Sequence, residues 1–192
     1  MDKPNNLHVI AINGYGVGED VRTDTQISRY LSAIVPKIER RHADLVVCLL
    51  GGKTNRSDKS EARYLLEWFE HFAPGLNVVF ILIEPESETR DLVDNLAAMH
   101  DAFGNPKILD FYCVHGRAWK AEQLLNRHFD NFFVHGVNFV EHKSVVDKIK
   151  TRAKWLIHDV VTVLGIWVPP LNDLRISWRK KHLAAARAQN QS

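Results

Sequence analysis

Two cysteines in 192 residues, no long uninterrupted hydrophobic run and no surplus of either charge each exclude a class of protein. Two thiols are too few to staple a small secreted scaffold. Cys48 and Cys113 each fall inside an apolar run of strand character, and are expected as buried free thiols in a reducing compartment. The longest apolar stretch, "WLIHDVVTVLGIWVPPL" at 155–171, is interrupted by His158 and Asp159 and is too short to span a bilayer. The amino terminus, "MDKPNNLHVIAING", carries no cleavable signal pattern, so a soluble cytoplasmic protein is expected. Twenty-five Lys and Arg against 23 Asp and Glu leave a formal charge of +2, too little for an overall field that holds nucleic acid or an anionic membrane. Positive charge gathers only at the end, where Arg175, Arg179, Lys180, Lys181 and Arg187 crowd together.

Several catalytic signatures are missing too. Gly52-Lys53-Thr54 resembles the end of a phosphate-cradling loop, but the earlier glycine such a loop needs is Val47, inside a strand. "NGYGVGED" offers Gly14, Gly16 and Gly18, yet the dinucleotide fingerprint wants glycine where Glu19 stands. No His-x-x-x-His or cysteine pair joins His115, His135 and His142 into a zinc motif, and there is no G-x-S-x-G elbow.

What is present is ample core material, 45% hydrophobic, arranged as short apolar runs alternating with segments of helical period. That alternation predicts strands over 7–12, 45–50, 78–83, 108–114 and 132–137, with helices between them around a mostly parallel sheet. Pro36 should bend or divide the first helix. After Val137 the pattern predicts one long helix or two, ended by Pro169-Pro170, and then a short basic helix. The expected organisation is one α/β domain over 1–142 with a helical extension over 143–192 packed on it.

In such a sheet ligands sit beyond the carboxyl ends of the strands, so the candidate residues are those of the strand-to-helix junctions. Gly14 and Gly16 either let backbone amides approach a ligand or only make a tight turn. Gly51 and Gly52 close the second strand, and Ser60 and Glu61 open the next helix. Asp58 and Glu61 have capping-box spacing, and a helix start there also presents amides to an anion. Glu84 ends the third strand ahead of Ser87, Thr89 and Asp91, a density of carboxylates and hydroxyls suited to acid–base work or to a cation, ribose or amine, and equally to ordinary capping. His115 ends the fourth strand with Arg117 two residues on, a pair suited to proton exchange or to binding phosphate or carboxylate. Glu84 and His115 are the candidate catalytic pair, with the remaining residues as ligand contacts.

In order, these junctions resemble the YdcF-like family, which carries the domain of unknown function 218. The resemblance spans about residues 7–120 and rests on Gly14, "RYLSA" with Arg29 and Ala33, Gly51-Gly52, Ser60-Glu61-Ala62, Glu84 with Ser87, and "HGRA" at 115–118. Thr89 comes one residue earlier than in the family's third motif, and Asp91 and Leu92 replace its Glu-Asn. The resemblance implies a three-layer α/β/α Rossmann-like fold and a pocket lined by these loops. It further implies a small polar or nucleotide-like ligand, S-adenosylmethionine in one family member. Other members are associated with envelope integrity and lipid-carrier metabolism, and carry a membrane segment with no counterpart here. A second expectation, of a different class, is a non-catalytic scaffold or homo-oligomer acting through Trp155, Trp167, Trp178 and the basic end.

Overall fold

The computed structural model describes residues 7–40, 45–53, 58–85, 92–141 and 144–168, with three isolated positions beyond. Five strands form one wholly parallel sheet: β1 His8–Asn13, β2 Leu45–Leu50, β3 Val79–Ile83, β4 Ile108–Val114 and β5 Phe132–Val137. The strand order is β3-β2-β1-β4-β5. The fold is therefore the expected α/β Rossmann-like one, and the expected strands lie within a residue of the observed ones.

Position in the sheet explains strand composition. β2, "LVVCLL", is buried at every residue because strands pair with it on both sides and helices cover both faces. The edge strands β3 and β5 are mixed, with Val79 and Phe133 more than half exposed.

The helices divide between the two faces. α1 Thr25–Ser32, α2 Val35–Glu39 and α3 Glu61–Phe72 cover one, packing Ile27, Leu31, Ile38, Leu65 and Phe69 onto Ile10, Ile12, Val47 and Leu49. α4 Leu92–Phe103 and α5 Ala118–Leu125 cover the other, packing Leu96, Met99, Ala121 and Leu124 onto Val9, Ala11, Leu109 and Phe111. Pro36 does divide the first helix: it occupies the first turn of α2, where its missing N–H costs nothing. Tyr30 is fully buried, and its hydroxyl donates to the Tyr112 carbonyl at 2.8 Å, tying α1 to β4.

Over 144–168 the chain forms the helix α6 Val145–Trp167, capped by Val168 just before Pro169-Pro170. It packs on α5 and on the 3-10 turn His115–Arg117 that follows β4, so it lies across the carboxyl ends of the strands. The basic residues from Arg175 onward and Trp178 lie outside the described residues.

Nearer the amino ends of the strands, Asp110 on β4 is 5% exposed and bridges two imidazoles: His8 Nε2 at 2.6 Å and His135 Nε2 at 2.7 Å. Burial pushes its carboxyl up, but the hydrogen bonds and positive charge of the two histidines outweigh that and hold it below the ordinary range. A lowered folded pKa favours the folded carboxylate. Its stabilisation is complete above the unfolded value of about 3.9 and is lost as pH falls through the folded value. Asp110→Asn should cost about 2–3 kcal/mol near neutrality. In urea melts, the gap between wild type and variant should close on acidification below about pH 4. A gap that stays constant with pH would show that Asp110 contributes by shape alone.

Candidate functional site

Strand order determines which junctions adjoin. From β1 the chain adds β2 and β3 on one side and then β4 and β5 on the other, so the direction of winding reverses between β1 and β4, where parallel sheets open a crevice. A cavity of about 200 Å³ lies there. Its floor is Asn13 and Gly14 at the end of β1 with Cys113 and Val114 from β4; its walls are Glu61 of α3, Leu92 and Asn95 of α4, and Arg117 and Lys120; Tyr15, Trp155 and His158 close it.

The β1–α3 wall is built around Glu61. Its Oε1 accepts the Gly16 N–H at 2.8 Å, while its side chain lies against Gly14 and Gly51. A Cβ on either of those glycines would come within 2.5 Å of the Glu61 Cβ. Gly14 N–H donates to the Leu50 carbonyl at 2.7 Å, locking the first junction to the end of β2. Gly16 and Gly51 have φ of +98° and +148°, which L side chains rarely adopt. The glycines thus let a carboxylate enter between two strand ends, a use that neither a bare turn nor a phosphate loop describes.

Ser60, not Asp58, caps α3. Its backbone is extended, pairing with Lys53 in an isolated bridge, and its Oγ accepts the Arg63 N–H at 3.0 Å. That shifts the helix start two residues beyond the capping-box reading and places Glu61 in the first turn rather than at the third position. Ser60 Oγ also donates to Glu84, whose other oxygen receives Arg63 at 3.4 Å. Gly52 faces the Pro85 carbonyl, where a Cβ would stand 2.8 Å away.

Glu84, Ser60 and Gly52 therefore form a second group, on the β2–β3 side, and do not line the cavity. His115 is exposed beside Gly136 and does not line it either. Glu84 and His115 follow strands three places apart, about 14 Å at ordinary strand spacing, and neither lines the cavity. Of the remaining candidates, Gly14, Glu61 and Arg117 line the cavity, Gly16 and Gly51 support Glu61, and Ser87, Thr89 and Asp91 lie outside the described residues.

The α5–α6 wall is cationic and was missed in the sequence apart from Arg117. The Arg117 guanidinium lies over the Trp155 ring at 5.4 Å, and its Nε is buried with no hydrogen-bond partner among the described residues. The Lys120 side chain is 2% exposed, with Nζ 3.7 Å from Asp159 Oδ1, an ion pair rather than a hydrogen bond. His158 Nδ1 is 3.6 Å from the same oxygen, and both atoms are buried without hydrogen-bond partners among the described residues. On the other wall, Asn95 donates to Asn13 Oδ1 at 3.5 Å.

Burial pushes the Cys113 thiol up to about 12, partly opposed by Arg117, so the floor presents a neutral thiol and no thiolate nucleophile. Burial likewise raises the Tyr15 phenol, again against Arg117. Beyond Trp155 a second cavity of about 290 Å³ is lined by Arg29, Gly116, Asn138, Phe139, Glu141 and Arg152, and shares Val114 and Trp155 with the first.

The cavity is a polar crevice at the point where the sheet reverses. Comparison with protein-family models, with curated proteins and with solved structures finds no match to this chain.

Proposed function

We propose that this protein binds a small polar ligand at the carboxyl ends of β1 and β4, in the cavity between Glu61 and Arg117. The observation that carries this is the convergence of hydrogen-bonding side chains from α3, α4, α5 and α6 on one concave space at the reversal point of a parallel sheet. The likeness to the YdcF-like family supports the same location. At about 200 Å³ the cavity is below the range that encloses drug-sized ligands, so a ligand as long as S-adenosylmethionine needs the adjoining space beyond Trp155 as well.

The test is an amide chemical-shift titration of the full chain with nucleotides, S-adenosylmethionine and sugar phosphates. Gly14, Tyr15, Val114 and Arg117 should shift together with one dissociation constant. Shifts confined to Ser60, Arg63 and Glu84 would move the site to the β2–β3 side.

A second reading, self-association, rests on α6. Its inward face carries buried Asp159, Thr162 and Val163, with Trp155 packed on the core, while Ile149, Leu156, Ile157, Leu164 and Trp167 are exposed, more apolar surface than a surface helix ordinarily leaves in water. With Val146, Ala153 and Val160 these follow three-and-four spacing along the whole helix, the pattern of a stripe that pairs with another helix. A second copy of the chain supplies the same stripe. Sedimentation should show a dimer that Ile157→Glu with Leu164→Glu converts to a folded monomer; a monomeric wild type would rule this reading out.

A further inference from the structure

We infer that the ligand of the β1–β4 cavity carries an anionic oxygen group, a phosphate or a carboxylate, held by Arg117, Lys120 and His158; this rests on that cavity being the binding site. Arg117 and His158 both line this cavity, and Arg117 Nε and His158 Nδ1 are buried with no hydrogen-bond partner among the described residues. Polar atoms in that condition are uncommon because each loses its hydration without compensation. Both residues stand on one wall with Lys120, whose buried ammonium is paired with Asp159, so three nitrogen-bearing side chains line that side of the cavity.

The remaining charges leave that wall cationic. Asp159 stands behind Lys120 and His158 and does not line the cavity, so it anchors the wall without occupying the ligand space. Glu61 is the carboxylate among the described lining residues. It belongs to the opposite wall, where Oε1 accepts the Gly16 N–H and Oε2 lies close to Gly14 and Gly51. The Arg117 guanidinium lies over the Trp155 ring, a contact that helps hold it on this wall, and guanidinium is suited to directional recognition of anionic oxygens.

The two walls therefore differ in kind. An anionic group belongs against α5 and α6, and a hydroxyl or amino group of the same ligand against Glu61 and Asn95. The ligand class is a small phosphorylated or carboxylated polyol or amine.

The test uses the isotope-labelled full chain, titrated separately with inorganic phosphate, acetate and D-ribose, each against sodium chloride at matched ionic strength. Phosphate or acetate should shift the Arg117 side-chain Nε–H and the Val114 and Arg117 amides saturably, and the stronger of the two identifies the group. Arg117→Gln and His158→Phe should each weaken that binding at least about tenfold, the value of one charge-assisted hydrogen bond. Arg22→Gln, which removes an exposed pair with Asp20 away from the cavity, should leave it unchanged.

Anion shifts that never saturate, or that survive both cavity substitutions in variants with folded spectra, would overturn the inference. Saturable D-ribose shifts at the cavity without anion shifts would overturn it and leave the cavity as the site. No cavity shift with these probes, nor with the nucleotides, S-adenosylmethionine and sugar phosphates above, would overturn both.

Discussion

Alanine at Gly51 is expected to destabilise the chain by about 3–5 kcal/mol, combining a disfavoured backbone conformation with overpacking. The φ of +148° is strained for any L side chain, and the added methyl would meet the Glu61 Cβ at 2.5 Å. That Cβ is fixed to the first turn of α3 and cannot swing aside. The two neighbouring strand ends, Gly14 and Gly51, would separate, and the Gly16–Glu61 hydrogen bond would stretch. For a chain of this size the loss corresponds to a fall in melting temperature on the order of 10 °C.

Two further glycines separate the causes. Gly16→Ala carries the backbone strain at φ +98° with open space around it, and should cost about 1–3 kcal/mol. Gly75→Ala has no neighbour within 4 Å and should fall within about 0.5 kcal/mol of wild type. Equal melting temperatures for the Gly51 and Gly75 variants would mean that Glu61 is not wedged between the strand ends.

Lys120→Met is the second large effect, expected at about 3–5 kcal/mol because it leaves Asp159 buried without its cation. Lys120 and Asp159 are 1% and 3% exposed, so solvent cannot replace the lost partner. Adding Asp159→Asn removes the stranded charge, and the double variant should be more stable than the sum of the two single changes requires, by about 1–3 kcal/mol. It should remain unable to bind the anion that Lys120 helps to hold. Strict additivity in urea melts would show that the 3.7 Å pair has no energetic consequence.

The strands are legible in the sequence because a parallel sheet covered on both faces needs continuous apolar runs, as in "LVVCLL", and the division of the first helix because proline has one favourable place in a helix start. The site is less legible. Glu84 and Glu61 both look like functional carboxylates at strand-to-helix junctions. Strand order alone places Glu61 beside the reversal point and Glu84 two strands further out, and segment lengths do not specify that order.

Asn95 and Lys120 lie inside helices, where a polar residue is ordinarily assigned to solvent. The available signal is their register: Asn95 falls between Leu92 and Met99 on the buried side of α4, and Lys120 beside Ala121 and Leu124 on that of α5. His158 and Asp159 interrupt the longest apolar stretch, a feature that argues against a membrane span; the same pair forms the polar inner face of α6. No helix among the described residues is long and apolar enough to cross a membrane.

The most direct measurement is a crystal structure of the full chain grown with the tightest-binding ligand from the titrations. Ligand density is expected between Glu61 and Asn95 on one side and Arg117, Lys120 and His158 on the other, with its anionic group within hydrogen-bonding distance of Arg117 Nε. Density instead beside Ser60 and Glu84, with side chains filling the space between Glu61 and Arg117, would contradict that placement.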